Sequence, residues 1–166
     1  EAALDTFVPP FREGENVVRF CAKDFGTNPN QTCVDETVWV DNVPPTAAFR
    51  NEQPADDPEL IRAPVADATS GIAPRSGLIE VRPVAGGAWK PLGTELVGGE
   101  LHARVDSLDY PPGDYELRAT VDDVAGHRTV TQRRADGSPM VLRFPLRAPA
   151  RLEAALANGA DDQLVP

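Results

Sequence analysis

The sequence predicts an all-β protein in which antiparallel strands pack as two facing sheets. Seventeen prolines and thirteen glycines separate short runs rich in Val, Thr, Leu and Arg, which is typical of chains with many strands and turns. Apolar and polar residues alternate between positions 111 and 127. Turn-forming residues also recur at short intervals between positions 46 and 147, which leaves little room for long helices. Together these observations favour a β-sandwich.

The stretch 111–127, PPGDYELRATVDDVAGH, is the best-defined element of the chain. Tyr115, Leu117, Ala119 and Val121 alternate there with charged or polar residues. A period of two places one set of side chains on a buried face and the other set in water. We therefore expect this stretch to form the central strand of the sandwich.

Eight strands are predicted in the second part of the chain, each bounded by residues that favour turns. Their approximate limits are Thr46–Arg50, Glu59–Ala66, Gly77–Val84, Ala88–Leu92, Glu100–Val105, Gly113–Asp122, Arg128–Arg133 and Met140–Leu146. The apolar residues expected to fill the core are Phe49, Ile61, Val65, Ile79, Val81, Trp89, Leu92, Leu101, Val105, Tyr115, Leu117, Ala119, Val121, Val141 and Leu142.

Residues 1–42 are predicted to be the C-terminal strands of a preceding module. Two strands are predicted there, Asn16–Lys23 and Thr37–Val40. The first aligns with the central strand at an offset of 99, which places Gly14 on Gly113 and Arg19 on Arg118. The repeat is weak, but its period matches the roughly 100 residues of an immunoglobulin-type sandwich. A chain that starts inside a module is expected to be a piece of a longer polypeptide.

Cys21 and Cys33 are the only cysteines of the chain. Two strands joined by the intervening loop would bring their sulfurs together, and closure of such a loop stabilises by about 3 kcal/mol. Free thiols and half of a metal site are the alternatives. Val18, Phe20 and Ala22 are expected to point inward and Cys21 outward, so that the disulfide clips a hairpin. A disulfide favours an oxidising compartment, and therefore an extracellular or cell-surface location.

The predicted domain organisation has four parts. Residues 1–42 form a partial module, residues 43–46 a Pro-rich linker, and residues 47–147 a complete sandwich. Residues 148–166 are either a linker, with a short helix as an alternative, or the start of the next module. Because paired prolines hold the linker extended, we expect a fixed angle between the modules.

Four turn and corner motifs carry a resemblance to a known family. They are DATSGI at 67–72, GGAW at 86–89, PGDY at 112–115 and DVAG at 123–126. Together they resemble bacterial Ig-like repeats, which occur in tandem in large secreted and cell-surface proteins. The resemblance implies an immunoglobulin-like Greek-key β-sandwich, one complete domain preceded by the C-terminal strands of another.

One of these motifs resembles the tyrosine corner of Greek-key sandwiches. Tyr115 follows Gly113 closely, and in such a corner the ring packs inside while the hydroxyl bonds nearby backbone. We expect Tyr115, Gly113 and Asp123 to be structural corner and turn residues, with Asp123 bonding the amides of its turn.

The sequence predicts a protein without catalytic residues. No HExxH, GxSxG or phosphate-loop spacing occurs, and His102 and His127 are expected in a strand and a turn. A Ser-His-Asp site assembled from distant positions is the alternative. The net charge of −10 repels nucleic acid and anionic membranes, and no apolar run approaches the roughly 20 residues of a membrane span. We expect neither a nucleic-acid partner nor a membrane span.

Two kinds of ligand are alternatives to a chain that binds nothing. The first is a calcium ion bound by carboxylates in and near the central strand, although no DxDxDG loop exists. These carboxylates are Asp106, Asp109, Asp114, Asp122 and Asp123. Trp89 and the Asp56-Asp57 loop are candidate ligand contacts, and Trp39 with Trp89 would make a sugar-stacking platform if both were exposed. The expectation is no cofactor.

The preferred functional hypothesis is a non-catalytic structural module that acts as a spacer or joins subunits of an assembly. An adhesion or carbohydrate-binding module is the first alternative, and an accessory domain of a secreted hydrolase is the second. Residues 1–42 bring too few strands to bury both faces, so we also expect them to pair with neighbouring modules or with another chain.

Overall fold

The structure, a computed structural model, describes residues 11–147. Residues 1–10 and 148–166 lie outside the described residues, and so do the linker or next-module start predicted at 148–166 and its alternative, a short helix. In the described chain the strands are β1 Gly14–Lys23, β2 Gln31–Val40, β3 Thr46–Ala47, β4 Leu60–Ala66, β5 Leu78–Pro83, β6 Lys90–Leu92, β7 Thr94–Val97, β8 Glu100–Arg104, β9 Gly113–Asp122, β10 Arg128–Thr131 and β11 Val141–Phe144. A 3₁₀ turn, Ser107–Asp109, precedes β9.

Strands β3 to β11 form two sheets that face each other. One sheet has the order β3-β4-β8-β7, and the other has the order β10-β9-β5-β6 with β11 also paired to β9. Every ladder between these strands is antiparallel. The side chains buried between the sheets are Phe49, Ile61, Ala63, Val65, Ile79, Val81, Leu92, Leu101, Ala103, Val105, Tyr115, Leu117, Ala119, Val121, Met140, Leu142 and Phe144. The prediction of an all-β sandwich is confirmed.

Strand β9 holds the second sheet together. It pairs with β5 along one edge, and along the other edge with β11 at its start and β10 at its end. Its buried side chains are Tyr115, Leu117, Ala119 and Val121, the four that the alternating pattern predicts. Because three strands depend on it, β9 is the element around which the sandwich is assembled.

The predicted strands correspond to observed ones, but one strand was missed. Thr94–Val97, strand β7, lies at the edge of its sheet, and Leu96 and Val97 are 44% and 47% exposed. An edge strand that buries so little has no alternating apolar pattern to reveal it. Strand β7 is joined to β8 by the two-residue turn Gly98-Gly99, whose φ values of 56° and 83° suit a hairpin turn of this length.

Two predicted core residues lie outside the core. Val141 is 38% exposed, because β11 directs Leu142 and Phe144 inward and therefore Val141 outward. Trp89 is half-buried and precedes β6 on the outer side of the sandwich. Phe144, which the core prediction omitted, is 1% exposed and stacks on Tyr115 with ring centroids 4.4 Å apart.

Strands β1 and β2 form a separate antiparallel hairpin, paired from Gly14 with Val40 to Lys23 with Gln31. Cys21 and Cys33 face each other across it and form a disulfide bond, so the disulfide clips a hairpin as predicted. Strand β2 begins earlier than predicted. Its first half lacks an apolar pattern and is held instead by the disulfide and by an ion pair between Arg19 and Asp35.

The inward orientation predicted for the hairpin is wrong for the described chain. Phe20 and Val34 lie opposite each other on one face, together with Val18, and are 51% and 53% exposed. Ala22 is exposed as well, and Val18 is half-buried. Each hairpin strand pairs only with the other within residues 11–147. A two-stranded sheet has no second layer to cover its apolar face.

Candidate functional site at the junction of hairpin and sandwich

One loop of the sandwich, between β4 and β5, is closed by a single carboxylate. The Asp67 Oδ1 atom accepts hydrogen bonds from the backbone amides of Thr69, Ser70 and Gly71 at 3.1, 2.8 and 2.6 Å. An aspartate that bonds the amides following it fixes the turn without help from other elements. The sequence 67–71 therefore forms a preorganised loop.

A second loop, between β9 and β10, is built in the same way. Asp123 is only 2% exposed, and its Oδ1 atom accepts the amides of Gly126 and His127 at 2.6 and 2.8 Å. Its Oδ2 atom lies 2.9 Å from Nδ1 of the His127 ring. Asp123 therefore bonds the backbone amides of its own turn, as the sequence predicts.

The two loops are bonded to each other. The amide of Val124 donates to the Gly71 carbonyl oxygen at 2.9 Å, and the amide of Ala125 donates to the Ser70 hydroxyl at 3.3 Å. Ile72 also makes a β-bridge with the start of the second loop. The loops therefore form one continuous platform at this end of the sandwich.

The end of the hairpin meets this platform. A cavity of about 380 Å³ is lined by Trp39, Val40, Asp41, Thr69, Ser70, Val124 and Ala125. Val40 is 4% exposed, whereas Trp39 beside it is 69% exposed. The hairpin and the platform thus share one partly apolar cavity at the junction.

The connector between the hairpin and the sandwich is hydrogen-bonded on both sides. The amide of Asn42 donates to Glu13 Oε2 at 3.0 Å, and the amide of Val43 donates to Asp41 Oδ1 at 3.1 Å. Further along, the Thr129 hydroxyl donates to the Pro45 carbonyl oxygen at 2.5 Å. The Pro-rich linker is attached to the hairpin at one end and to β10 at the other.

Asp41 lies at the centre of the junction. The Ser70 hydroxyl is the main cause that holds the pKa of Asp41 below its ordinary value. The Val43 amide, the Glu13 side chain and the His127 ring lower this pKa further. Burial of the carboxylate opposes them. The Asp41 Oδ2 atom is buried, and no residue of the described chain makes a well-formed hydrogen bond to it. Donor atoms of Asp41, Asp123 and His127 all lie within 4.8 Å of one another.

The other carboxylates suggested for calcium are not gathered with Asp123. Asp122 pairs with Arg128 at 2.7 Å, and Asp114 lies 3.7 Å from an arginine of β11. Asp106 caps the 3₁₀ turn before β9. Within residues 11–147 the one group of three possible metal ligands is Asp41, Asp123 and His127, of which only Asp123 is among the carboxylates suggested for calcium.

Trp89 is engaged by its neighbours. The guanidinium groups of Arg82 and Arg118 lie 4.3 and 4.5 Å from the ring centroid, and each arginine also pairs with a glutamate across the strands, Glu116 and Glu80. Cations so close to an aromatic face are attracted to it and occupy the surface on which a sugar would stack. The structure does not bring Trp89 together with Trp39, which lies at the junction.

The two residues of the Asp56-Asp57 loop, the other candidate ligand contact, have different environments. Asp56 is exposed. Asp57 pairs with Arg104 and with Arg147, the latter at 2.6 Å, and the Arg104 guanidinium is the main cause that holds the pKa of Asp57 below its ordinary value. Asp57 therefore has a structural partner on each side.

The tyrosine at the start of β9 has the geometry of a tyrosine corner. The Tyr115 hydroxyl donates to the Pro111 carbonyl oxygen at 3.0 Å, and its ring is 4% exposed. Gly113 is the first residue of β9 and lies at the same corner, whereas Asp123 follows the last residue of β9. Of the three residues predicted to be structural, Tyr115 and Gly113 therefore belong to the corner, and Asp123 belongs to the turn at the opposite end of the strand.

The two histidines have separate environments. His102, on β8, lies 3.4 Å from Glu100, whereas His127 contacts Asp123.

No helix of the described chain has the length and apolarity required to span a bilayer.

The fold and the junction together define an antiparallel β-sandwich preceded by a disulfide-clipped hairpin. Comparisons with protein-family models, curated proteins and solved structures found no match.

Proposed function

We propose that this chain is a non-catalytic structural module of an exported multidomain protein, with an Ig-like sandwich that holds adjoining parts of the polypeptide at a fixed angle. The observation that carries the proposal is the junction. Asp67 and Asp123 each close a loop with their own backbone, and the two loops bond to each other and border the hairpin end. Such a platform fits a spacer better than it fits a freely swinging link.

The strand order supports the Ig-like part of the proposal. Immunoglobulin domains place strands A, B, E and D in one sheet and C, F and G in the other. The orders β3-β4-β8-β7 and β10-β9-β5-β6 correspond to A-B-E-D and G-F-C with one added edge strand. Strand β9 then takes the place of strand F, where a tyrosine corner belongs, and Tyr115 has the hydrogen bond of such a corner.

The disulfide supports export. Cys21 and Cys33 lie on exposed parts of the hairpin, and an exposed disulfide persists in oxidising compartments but is reduced in the cytosol. An extracellular or cell-surface location is therefore part of the proposal. An adhesion role through Trp89 or the Asp56-Asp57 loop receives less support, because the Trp89 ring and Asp57 are already engaged by arginines.

The spacer role predicts a narrow distribution of distances across the junction. Fluorophores are attached through noncanonical residues at Asn28, in the exposed hairpin loop, and Ala85, in the exposed turn after β5, which spares the disulfide. Single-molecule energy transfer should give one narrow population. Asp67→Ala, which removes the acceptor of three loop amides, should broaden it.

Asp136→Ala is the matched control, because Asp136 accepts the Ser138 amide in a turn on another part of the sandwich. It should leave the distance distribution unchanged. A broad distribution in the unmodified chain, or equal broadening by both substitutions, would show that the platform does not set the angle.

A further inference from the structure

Negative charge is concentrated at the junction, where His127 is the one basic side chain of the described chain that lies against it. Asp41 and Asp123 lie within reach of one another, and Glu13 lies beside Asp41 while accepting the Asn42 amide. No lysine or arginine of the described chain pairs with any of these three carboxylates, although neighbouring Asp122 has Arg128. The negative charge of these carboxylates would attract a cation placed among them.

One buried oxygen atom of this cluster has no well-formed donor among the described residues. Asp41 Oδ2 is buried and receives no well-formed hydrogen bond from residues 11–147. A buried carboxylate oxygen left without a donor is destabilising, so native structures satisfy such atoms with a proton donor, water or an ion. The Asp41 carboxylate shares this space with Asp123 and His127, and possible metal-ligand atoms of the three residues lie within 4.8 Å of one another.

We propose that Asp41, Asp123 and His127 bind a divalent transition-metal ion of the Zn²⁺ class, which bridges the hairpin and the sandwich. Asp41 belongs to the end of the hairpin, while Asp123 and His127 belong to the loop between β9 and β10. The ion takes the place of the proton between Asp123 Oδ2 and His127 Nδ1, and the neutral imidazole keeps its proton on Nε2. Binding is independent of the spacer role, whereas its effect on the angle between the modules rests on that role.

The ligand set selects the class of metal. Imidazole nitrogen with carboxylate oxygen suits Zn²⁺ and its first-row neighbours, whereas Ca²⁺ takes six to eight oxygen ligands. Ligands of a tetrahedral Zn²⁺ ion are roughly 3.3 Å apart, given metal–ligand bonds of about 2.0–2.1 Å. Asp123 Oδ2 and His127 Nδ1, at 2.9 Å, are already close to this separation. Asp41 is the group that moves inward on binding, and water completes the coordination.

The test is a calorimetric titration of the full chain with ZnCl₂ and, separately, with CaCl₂ at neutral pH. We expect one saturable Zn²⁺ site, weakened at least tenfold by Asp41→Asn and by His127→Gln. His102→Gln is the matched control, because His102 lies beside Glu100 on β8, and its Zn²⁺ affinity should equal that of the unmodified chain. Circular dichroism checks that each variant is folded.

The outcomes separate binding from bridging. Absence of saturable Zn²⁺ binding by the unmodified chain, an affinity for Ca²⁺ that exceeds that for Zn²⁺, or loss of binding in His102→Gln would overturn the metal site. If Zn²⁺ binds as expected, it should also narrow the energy-transfer distribution across the junction. If Zn²⁺ binds but the width of the distance distribution is unchanged, the ion does not bridge the hairpin and the sandwich. If the distribution is broad without Zn²⁺ and narrow with it, the metal site stands, and only the proposal that the metal-free chain holds a fixed angle is contradicted.

Discussion

Phe144→Ala should reduce the free energy of unfolding of the sandwich by about 3–5 kcal/mol, the usual cost of truncating a buried phenylalanine. Phe144 is 1% exposed and stacks on Tyr115, and the Tyr110 ring meets its edge at 5.4 Å. Truncation leaves a cavity beside both tyrosines and loosens the attachment of β11 to β9. Urea denaturation, followed by tryptophan fluorescence and circular dichroism, measures the change.

Val141→Ala is the control for this substitution, since it lies on the same strand but is 38% exposed. It should cost less than about 1 kcal/mol, because little apolar surface is lost from the core. If the two substitutions destabilised the chain equally, β11 would have to present its other face to the core.

Glu59→Ala should be the second most destabilising change, at about 2–3 kcal/mol, because it leaves buried donors without their acceptor. Glu59 is 8% exposed, and its Oε1 atom accepts the amide and the hydroxyl of Ser107 at 2.9 and 2.7 Å. Its Oε2 atom pairs with Arg147 at 3.1 Å, and the Ser107 hydroxyl in turn accepts the Leu146 amide. This network attaches the end of the described chain to the turn before β9.

The effect of Glu59 should depend on pH with a defined sign. The Ser107 amide and hydroxyl hold the pKa of Glu59 below its ordinary value of 4.5, against the effect of burial. A carboxyl whose pKa is lowered by folding contributes stability that is fully present above the unfolded pKa and is lost as pH falls through the folded value. Glu59→Ala should therefore cost less at pH 3 than at pH 7. An equal cost at both values would mean that the ionised carboxylate does not stabilise the network.

Much of the sandwich could be predicted from the sequence, because the patterns that define its central strand and its turns involve only residues close together in the chain. Strand β9 has the limits that its alternating pattern predicts, since Tyr115, Leu117, Ala119 and Val121 repeat with the period of a strand buried on one face. Asp67 and Asp123 precede turn sequences in which an aspartate bonds its own backbone, and this role also requires only neighbouring residues.

The misplaced elements depend on contacts between distant residues. The predicted core position of Val141 was wrong because the phase of β11 is fixed by pairing with β9 and not by its own four residues. The core position predicted for Trp89 was wrong because its ring lies against arginines of β5 and β9, and the residues next to Trp89 in the sequence give no sign of these contacts. The first half of β2 has no apolar pattern, and its pairing with β1 depends on the disulfide and the ion pair.

The junction could not be assembled from the sequence for the same reason. Asp41 precedes the Pro-rich linker, whereas His127 ends a turn of the sandwich, and no spacing rule connects them. Only the packing of the hairpin end against the two loops brings their side chains together. The available signal was the set of acidic residues in and near the central strand, and it pointed to Asp114 and Asp122, which have other partners.

The most direct test of the account is whether hairpin and sandwich tumble as one body. Residual dipolar couplings of the backbone amides should be measured for β1 and β2 and for β3 to β11 in the same aligned sample. We expect one alignment tensor, with one magnitude and one orientation, to fit both sets. Separate tensors, with a smaller magnitude for the hairpin, would contradict a junction that fixes the angle.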